Sequence, residues 1–491
     1  MKHVSGAPLA LLALIWGIVP AWSQVTYENI APAVRVDQSY GNNGFGGGVS
    51  FYDFDNDGWD DLSFATQTGT ALAFFRNVDG LEFERVNPPF VPHFGVAEEL
   101  LWVDIDNHGE EDVFDRAYKP ANRLYRNDST LGFTDITAIA GLPTANMPSY
   151  AACWGDYDRD GWIDLYLTNR TEPAHLYYNY LFRNKGDGTF EDVTAASGTA
   201  DPGKQPLAVM FVDINNDLWP DLYIAQDKFA GNTLLRNNGN GTFTDISAAS
   251  GSNSIVDGMG ITAGDYDGDG YLDLYFSNSP LDGNMLLRNN GDETFTDVSA
   301  FAGVAHNGSC WGVNFLDYDN DGDLDLYSSS VWFSFFNNPA SRFFVNQGNG
   351  AFSTASGLGF AGDSALSFSN AIGDFDRDGH PEIAVNNILP YKFHLWKNSG
   401  NSGNHWLKVR LRGVQSNRNG IGSFVETYTQ GIRQIRYTNC GTSYLAQNSA
   451  WEMFGLGGAT TVDSLIIRWP SGLVDRFFQV AADQHLDLVE G

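Results

Sequence analysis

An Asp-rich decapeptide returns seven times along this chain of 491 residues, at intervals of 51 to 57 residues. Its clearest copy is Asp265-Tyr266-Asp267-Gly268-Asp269-Gly270-Tyr271-Leu272-Asp273-Leu274, and the others begin at Asp53, Asp104, Asp156, Asp213, Asp317 and Asp374. A fixed period of this length means that one supersecondary unit is repeated and stacked. Around each acidic loop lie the marks of short strands. An apolar Gly-rich run precedes the loop, and an alternating run such as Leu222-Tyr223-Ile224-Ala225 follows it. Strings such as Leu181-Phe182-Arg183-Asn184 and Leu286-Leu287-Arg288-Asn289 come next. A Gly/Asn/Asp turn then leads to Phe243-Thr244-Asp245-Ile246 or its equivalent. Four strands per period predict a four-stranded antiparallel sheet, and seven such units predict a seven-bladed β-propeller.

The seventh unit has no Phe-x-Asp-Val strand of its own. Residues 25–30, Val25-Thr26-Tyr27-Glu28-Asn29-Ile30, resemble one, so the N-terminal segment is expected to supply the outer strand of blade 7. Such a clasp removes an exposed sheet edge. Residues 400–404 read as a short flexible joint, and residues 404–491 as a small β-sandwich-like domain. Its expected strands are 406–411, 423–429, 434–438, 464–469 and 485–489. The expected organisation is a signal peptide over 1–23, a propeller over 24–400 and a C-terminal β domain over 404–491. The leader has Lys2, an apolar core over 9–19 and small residues before Gln24. Export follows: secreted or extracellular, or periplasmic in a bacterial source. No later apolar run approaches the length of a membrane span.

Half of the 60 acidic residues fall in the seven decapeptides, so much of the formal charge of −32 is localised. That charge excludes the basic footprint of a nucleic-acid binder. The loop positions 1, 3, 5 and 9 carry Asp53, Asp55, Asp57 and Asp61 in blade 1; Asp156, Asp158, Asp160 and Asp164 in blade 3; and Asp265, Asp267, Asp269 and Asp273 in blade 5. Blade 6 has Asp317, Asp319, Asp321 and Asp325, and blade 7 has Asp374, Asp376, Asp378 and Glu382. Alternate positions of a tight loop aim carboxylates at one point, and Ca2+ takes six to eight oxygen ligands in a flexible cage. Position 6 is Gly in these five, as the sharp turn requires. An EF-hand is excluded, because position 12 holds Phe64, Leu167, Phe276 or Ser328 instead of a bidentate Glu. Blade 4 keeps Asp213, Asn215, Asp217 and Asp221, with Leu218 in place of the Gly. Blade 2 keeps Asp104, Asp106 and Asp112 but has His108 at position 5, a poor calcium ligand.

These loops resemble those of FG-GAP/VCBS repeats and are similar to the cation-binding blades of integrin alpha-chain propellers. The C-terminal segment resembles the ASPIC/UnbV domain through Asn404-His405-Trp406-Leu407, Ser416-Asn417-Arg418-Asn419-Gly420-Ile421-Gly422, Ser443-Tyr444-Leu445-Ala446-Gln447-Asn448, Phe454-Gly455-Leu456-Gly457 and Arg468-Trp469-Pro470-Ser471-Gly472. The combination resembles the cartilage acidic protein family and its bacterial relatives. The resemblance implies secretion, calcium binding and an extracellular interaction or cell-adhesion role, and it transfers no catalytic residue.

No Gly-x-Ser-x-Gly elbow, His-Glu-x-x-His motif or P-loop occurs. The expected function is that of a secreted, calcium-binding, non-catalytic protein that binds an extracellular protein or glycan. Two alternatives stay open. One is a carbohydrate-active hydrolase or lyase with its site in the propeller channel. The other is a subunit of an extracellular assembly, built through an edge of the C-terminal β domain. Among Cys153, Cys310 and Cys440, one disulfide and one free thiol are allowed, with Cys153–Cys310 facing a common axis as one candidate pair.

Overall fold

The computed structural model describes residues 25–491, except 40–45, 67–71, 89–95, 119–120, 130–131, 173–175, 229, 332–339, 361–362 and 401. The expected leader, residues 1–23, lies outside the described residues. The chain is nearly all β. The helices among the described residues are single turns, Thr194–Ser197, Ser247–Ser250 and Ser299–Ala302. Each ends at a glycine with φ between 75° and 79°, a left-handed cap that costs glycine little.

Apart from two C-terminal sheets, the strands form seven antiparallel four-stranded sheets. In blade 5 these are Ile261–Gly264, Asp273–Phe276, Met285–Asn289 and Phe295–Asp297. Each acidic loop joins the first strand of its sheet to the second. The first strands pack side by side in chain order, and that of blade 1 also lies against that of blade 7. The seven sheets therefore follow one another in a closed cycle. Blade 7 consists of Ser367–Gly373, Glu382–Asn387, His394–Asn398 and, as its outer strand, the N-terminal Tyr27–Asn29. Tyr27 pairs with Asn398 and Asn29 with Trp396. Tyr27 is buried beside Phe343 and Phe360, and its hydroxyl donates to the Pro381 carbonyl at 3.1 Å. The clasp expected from residues 25–30 is thus a packed strand.

The C-terminal unit has one sheet of Glu452–Gly457, His405–Arg412 and Gln484–Val489, and another of Ile432–Tyr437, Phe424–Thr429, Thr461–Arg468 and Val474–Ala481. Leu407, Val409, Phe454, Val425, Leu465 and Trp469 make a common core between them. The five expected strands are present with small boundary shifts. Glu452–Gly457 and Val474–Ala481 are additional. The latter alternates only between exposed and half-buried residues, with Phe477 and Val480 against the core.

One more strand, Ala446–Gln447, leaves this unit and pairs in parallel with Val49–Ser50 of blade 1. It belongs to a segment, residues 440–449, that runs along the axis of the propeller. Trp154 donates its N–H to the Cys440 carbonyl at 3.0 Å, and Ile261 and Ser443 exchange backbone bonds. The Ser443 hydroxyl accepts from Val313 N–H at 2.9 Å. Gln447 clasps the Trp102 backbone, accepting its N–H at 2.7 Å and donating to its carbonyl at 2.8 Å. Asn448 accepts from Ile372 N–H at 2.9 Å. Tyr444 and Leu445 are 1% and 2% exposed among Tyr150, Leu207, Trp311 and Phe368. The first strands of six blades end their backbone hydrogen bonding on this one segment. The C-terminal unit is anchored through the ring it follows.

The three cysteines are free and buried, so the allowed disulfide is not formed. Cys153 and Cys310 sit on the first strands of blades 3 and 6, across an axis that Tyr444 and Leu445 fill. Burial pushes the Cys310 thiol up to about 11, which keeps it protonated and unreactive.

Candidate metal centres

The local chemistry of each loop is repeated with little variation. The position-1 carboxylate accepts the N–H of position 6 through one oxygen, at 2.7 to 3.0 Å in all seven blades. The residue at position 4 takes a left-handed turn, as at Asn56 (φ 59°), Asn216 (φ 63°) and Asn320 (φ 58°). The position-9 acid, at the start of the second strand, spends both oxygens on backbone N–H groups. In blade 5 Asp273 accepts from Tyr266 at 3.3 Å and from Asn289 at 2.7 Å. Asp61, Asp112, Asp164, Asp221, Asp325 and Glu382 do the same in their own blades. Position 9 therefore locks the loop to the third strand as well as facing the carboxylates.

Positions 1, 3 and 5 converge. Asp53, Asp55 and Asp57 place one oxygen each within 4.8 Å of one another, as do Asp265, Asp267 and Asp269. Asp156, Asp158 and Asp164 form a similar group, and so do Asp317, Asp319 and Asp325. In six loops one carboxylate oxygen is buried and accepts no hydrogen bond: Asp53 Oδ1, Asp106 Oδ1, Asp158 Oδ1, Asp265 Oδ1, Asp319 Oδ1 and Asp376 Oδ1. A buried anion without a donor is costly, and a hard cation at the point of convergence would satisfy it. Burial and neighbouring carboxylates raise Asp156 to about 7 and Asp265 and Asp319 to about 6. These residues fit a calcium ion in the five of these loops with an unbroken Asp-x-Asp-x-Asp-Gly string; the sixth, in blade 2, has His108 in place of the third Asp.

Blades 2 and 4 differ. His108 Nδ1 lies against Asp106 Oδ1 and 3.4 Å from Asp104 Oδ1, and its Nε2 meets the Asn127 carbonyl at 3.0 Å. The ring thus occupies the space between the carboxylates of blade 2. Asn215 points its amide nitrogen at Asp217 (3.0 Å) and at Glu293 (3.2 Å) of the next blade. Leu218 adopts φ 67° at the glycine position.

Protein cations reach some loops. Arg183 bridges Asp158 and Asp160, and Lys397 contacts Asp376. From the C-terminal unit, Lys408 reaches Asp374 at 2.8 Å and Arg410 reaches Asp53 at 2.8 Å, both bonding the oxygen that also accepts the position-6 N–H. Blade 5 has no ion pair to its loop among the described residues. The C-terminal unit covers the loop face: Arg159 donates to the Pro470 carbonyl, Asn419 accepts from Asp104 N–H at 2.8 Å, and Asn404 donates to the Asp319 carbonyl at 2.9 Å.

A set of asparagines escaped the sequence reading. In six blades the Asn closing the third strand donates to the position-2 carbonyl of another blade, and in blade 2 Asn127 donates to Glu111 of its own blade. Asn237 reaches Tyr157 at 2.8 Å, Asn289 reaches Ile214 at 2.8 Å, and Asn77 reaches Phe375 at 2.7 Å, across the closure of the cycle. Asn56, Asn107, Asn216 and Asn320 at position 4 donate to the position-6 carbonyl of the following blade. Their recurrence in register with the acidic loops was the available signal.

Residues 104–167, 173–224, 213–276 and 275–328 match the FG-GAP-like repeat family, and residues 413–491 match the ASPIC and UnbV family. The chain carries FG-GAP-like repeats and an ASPIC and UnbV domain. Its relatives include cartilage acidic protein 1 of Mus musculus, 23% identical over 551 residues, covering 98% of this chain and 79% of the relative. The Xenopus tropicalis protein of that name is 25% identical over 263 residues, half of this chain and 38% of the relative. The human one is 29% identical over 175 residues, 34% of this chain and 26% of the relative. Among solved structures, an Agrocybe aegerita lectin that recognises terminal N-acetylglucosamine overlaps 70% of this chain and 93% of its own, with 17% identity and a TM-score of 0.45. BBS1N, solved in complex with ARL6DN, overlaps 74% of this chain and 94% of its own, with 9% identity and a TM-score of 0.47.

Proposed function

We propose that this chain is a secreted, calcium-binding, non-catalytic interaction protein whose partner is an extracellular protein or glycan. The observation that carries the calcium reading is the buried carboxylate oxygen left without a donor in each of the five loops that hold no imidazole; in blade 2 the equivalent oxygen of Asp106 faces His108 instead. Asp53, Asp55, Asp57 and Asp61; Asp156, Asp158, Asp160 and Asp164; Asp265, Asp267, Asp269 and Asp273; Asp317, Asp319, Asp321 and Asp325; and Asp374, Asp376, Asp378 and Glu382 would hold the ions. Bound calcium would neutralise the convergent carboxylates and rigidify the loop face under the C-terminal unit. In blade 2 the imidazole of His108 already fills that role, so we assign Asp104, Asp106 and Asp112 no calcium. Blade 4 retains oxygen donors if the Asn215 amide turns over.

The extracellular role draws support from the cartilage acidic protein relatives, and no helix among the described residues is long and apolar enough to cross a membrane. Against a hydrolytic site in the channel, Tyr444, Leu445 and Gln447 occupy the axis. Assembly through the long exposed strand Val474–Ala481 is opposed by Gln479, whose φ of 52° interrupts its extended backbone. Equilibrium dialysis against 45Ca2+ tests the reading: saturable uptake whose stoichiometry falls by three ions when Asp53, Asp265 and Asp317 are changed together to Asn supports it, and no uptake refutes it.

A further inference from the structure

Blade 5 departs from its sister units at points that meet in one place. The single-turn helices of blades 3 and 4 carry Ala196 and Ala249 at their third position, and the equivalent residue in blade 5 is Phe301. Its ring is 77% exposed. The arginine of the third strand pairs with a carboxylate in its sisters: Arg76 with Glu84, Arg126 with Asp128, Arg183 with Asp158, Arg236 with Glu293. Arg288 makes no ion pair among the described residues, only a 3.4 Å bond to Asn290. Both residues line a cleft of 590 Å3 between blades 5 and 6. Its roof is the C-terminal hairpin at Gly431, whose Ile432 is 66% exposed.

We infer that this cleft is a binding site for a neutral saccharide, which deepens the interaction role proposed above and rests on it. The volume lies within the usual range for ligand sites, ~300–1,000 Å3. Sugars present an apolar C–H face and a rim of hydroxyls that both donate and accept. Phe301 offers a flat ring to the first. Asp323 accepts, Arg288 donates a planar fork suited to adjacent hydroxyls, and Asn349 does both. The wall sets Arg288, Arg433 and Arg436 against Asp265, Asp267 and Asp323, a balance of charge that suits a neutral ligand. A basic peptide would leave the exposed aromatic without a purpose.

The test uses the full mature chain loaded with calcium and saturation-transfer NMR against maltotriose, cellotriose, mannotriose, chitotriose and, as an anionic control, trigalacturonate. Phe301→Ala restores the residue that blades 3 and 4 already fold with, and Arg288→Ala removes an exposed side chain, so both variants keep the native fold. The expected result is binding of at least one neutral trimer, weakened tenfold or more by each variant and unchanged by Leu281→Ala at an exposed site elsewhere. Binding that persists in both variants overturns the cleft assignment while leaving a glycan-binding protein. A preference for trigalacturonate overturns the neutral class. A chain that takes up calcium yet binds none of the trimers overturns the saccharide site alone, whereas failure to take up calcium is the separate refutation of the function proposed above.

Discussion

The position-1 aspartate shows how much one side chain carries in this molecule. One oxygen closes the loop on the position-6 N–H, and in Asp53 and Asp265 the other is buried with no donor. Neutralising a single convergent carboxylate should then remove a single ion: Asp267→Asn, in a loop with no ion pair to a protein cation among the described residues, is expected to reduce bound calcium by one site and to lower the melting temperature in calcium by a fraction of the full calcium effect. Calcium titration of the variant beside the native chain checks this. A second prediction concerns Glu98, Arg116 and Glu99 beside the axis, two carboxylates sharing one buried guanidinium. Burial raises Glu99 from 4.5 to about 7, with Arg116 opposing. An acid held above its free value keeps its proton in the native state while the unfolded chain loses it. Stability should therefore fall as pH rises from about 4.5 to 7 and level off above, and Glu99→Gln should flatten that slope. Melting temperatures of calcium-saturated protein across this range measure it. The carboxylates were legible in sequence because a loop brings its own alternate residues together. The inter-blade asparagines were not, because Asn289 acquires its role only when Ile214 of another blade lies 2.8 Å away.

Among the elements, the N-terminal strand was legible because it repeats the outer-strand string and blade 7 lacks one. Its worth can be stated. Tyr27 is 3% exposed and packs against Phe343 and Phe360, so Tyr27→Ala should cost ~3–5 kcal/mol, the range for emptying a large buried aromatic site. Chemical denaturation would read this, and a loss below about 1 kcal/mol would mean that the clasp is dispensable. The axial strand Ala446–Gln447 was invisible. Two residues carry no periodicity, and its partners Val49 and Ser50 lie nearly the whole chain away. Strand Val474–Ala481 escaped for a different reason: it is an edge strand paired with Thr461–Arg468, its inner residues are only half-buried, and the exposed Phe478 beside the half-buried Phe477 blurs the apolar alternation.

For the whole molecule, a joint at residues 400–404 suggested two modules, and the structure instead couples them. Lys408 and Arg410 pair with the loops of blades 7 and 1, Trp451 lies within 4.9 Å of the Arg410 guanidinium, and residues 440–449 fill the axis. A chain ending before residue 405 would expose Trp311, Phe368 and Tyr150 along an open channel and should aggregate or melt far below the intact protein, as thermal scans of the two would show. The central claim is that calcium holds the loop face together. A ligand of the native state stabilises by ~2.7 kcal/mol at a concentration one hundred times its dissociation constant, and several loops act in concert. The most direct measurement is the melting temperature of the full chain in excess chelator and in millimolar calcium, with magnesium as the control. A rise of several degrees specific to calcium is predicted, and equal melting in all three conditions would contradict the account.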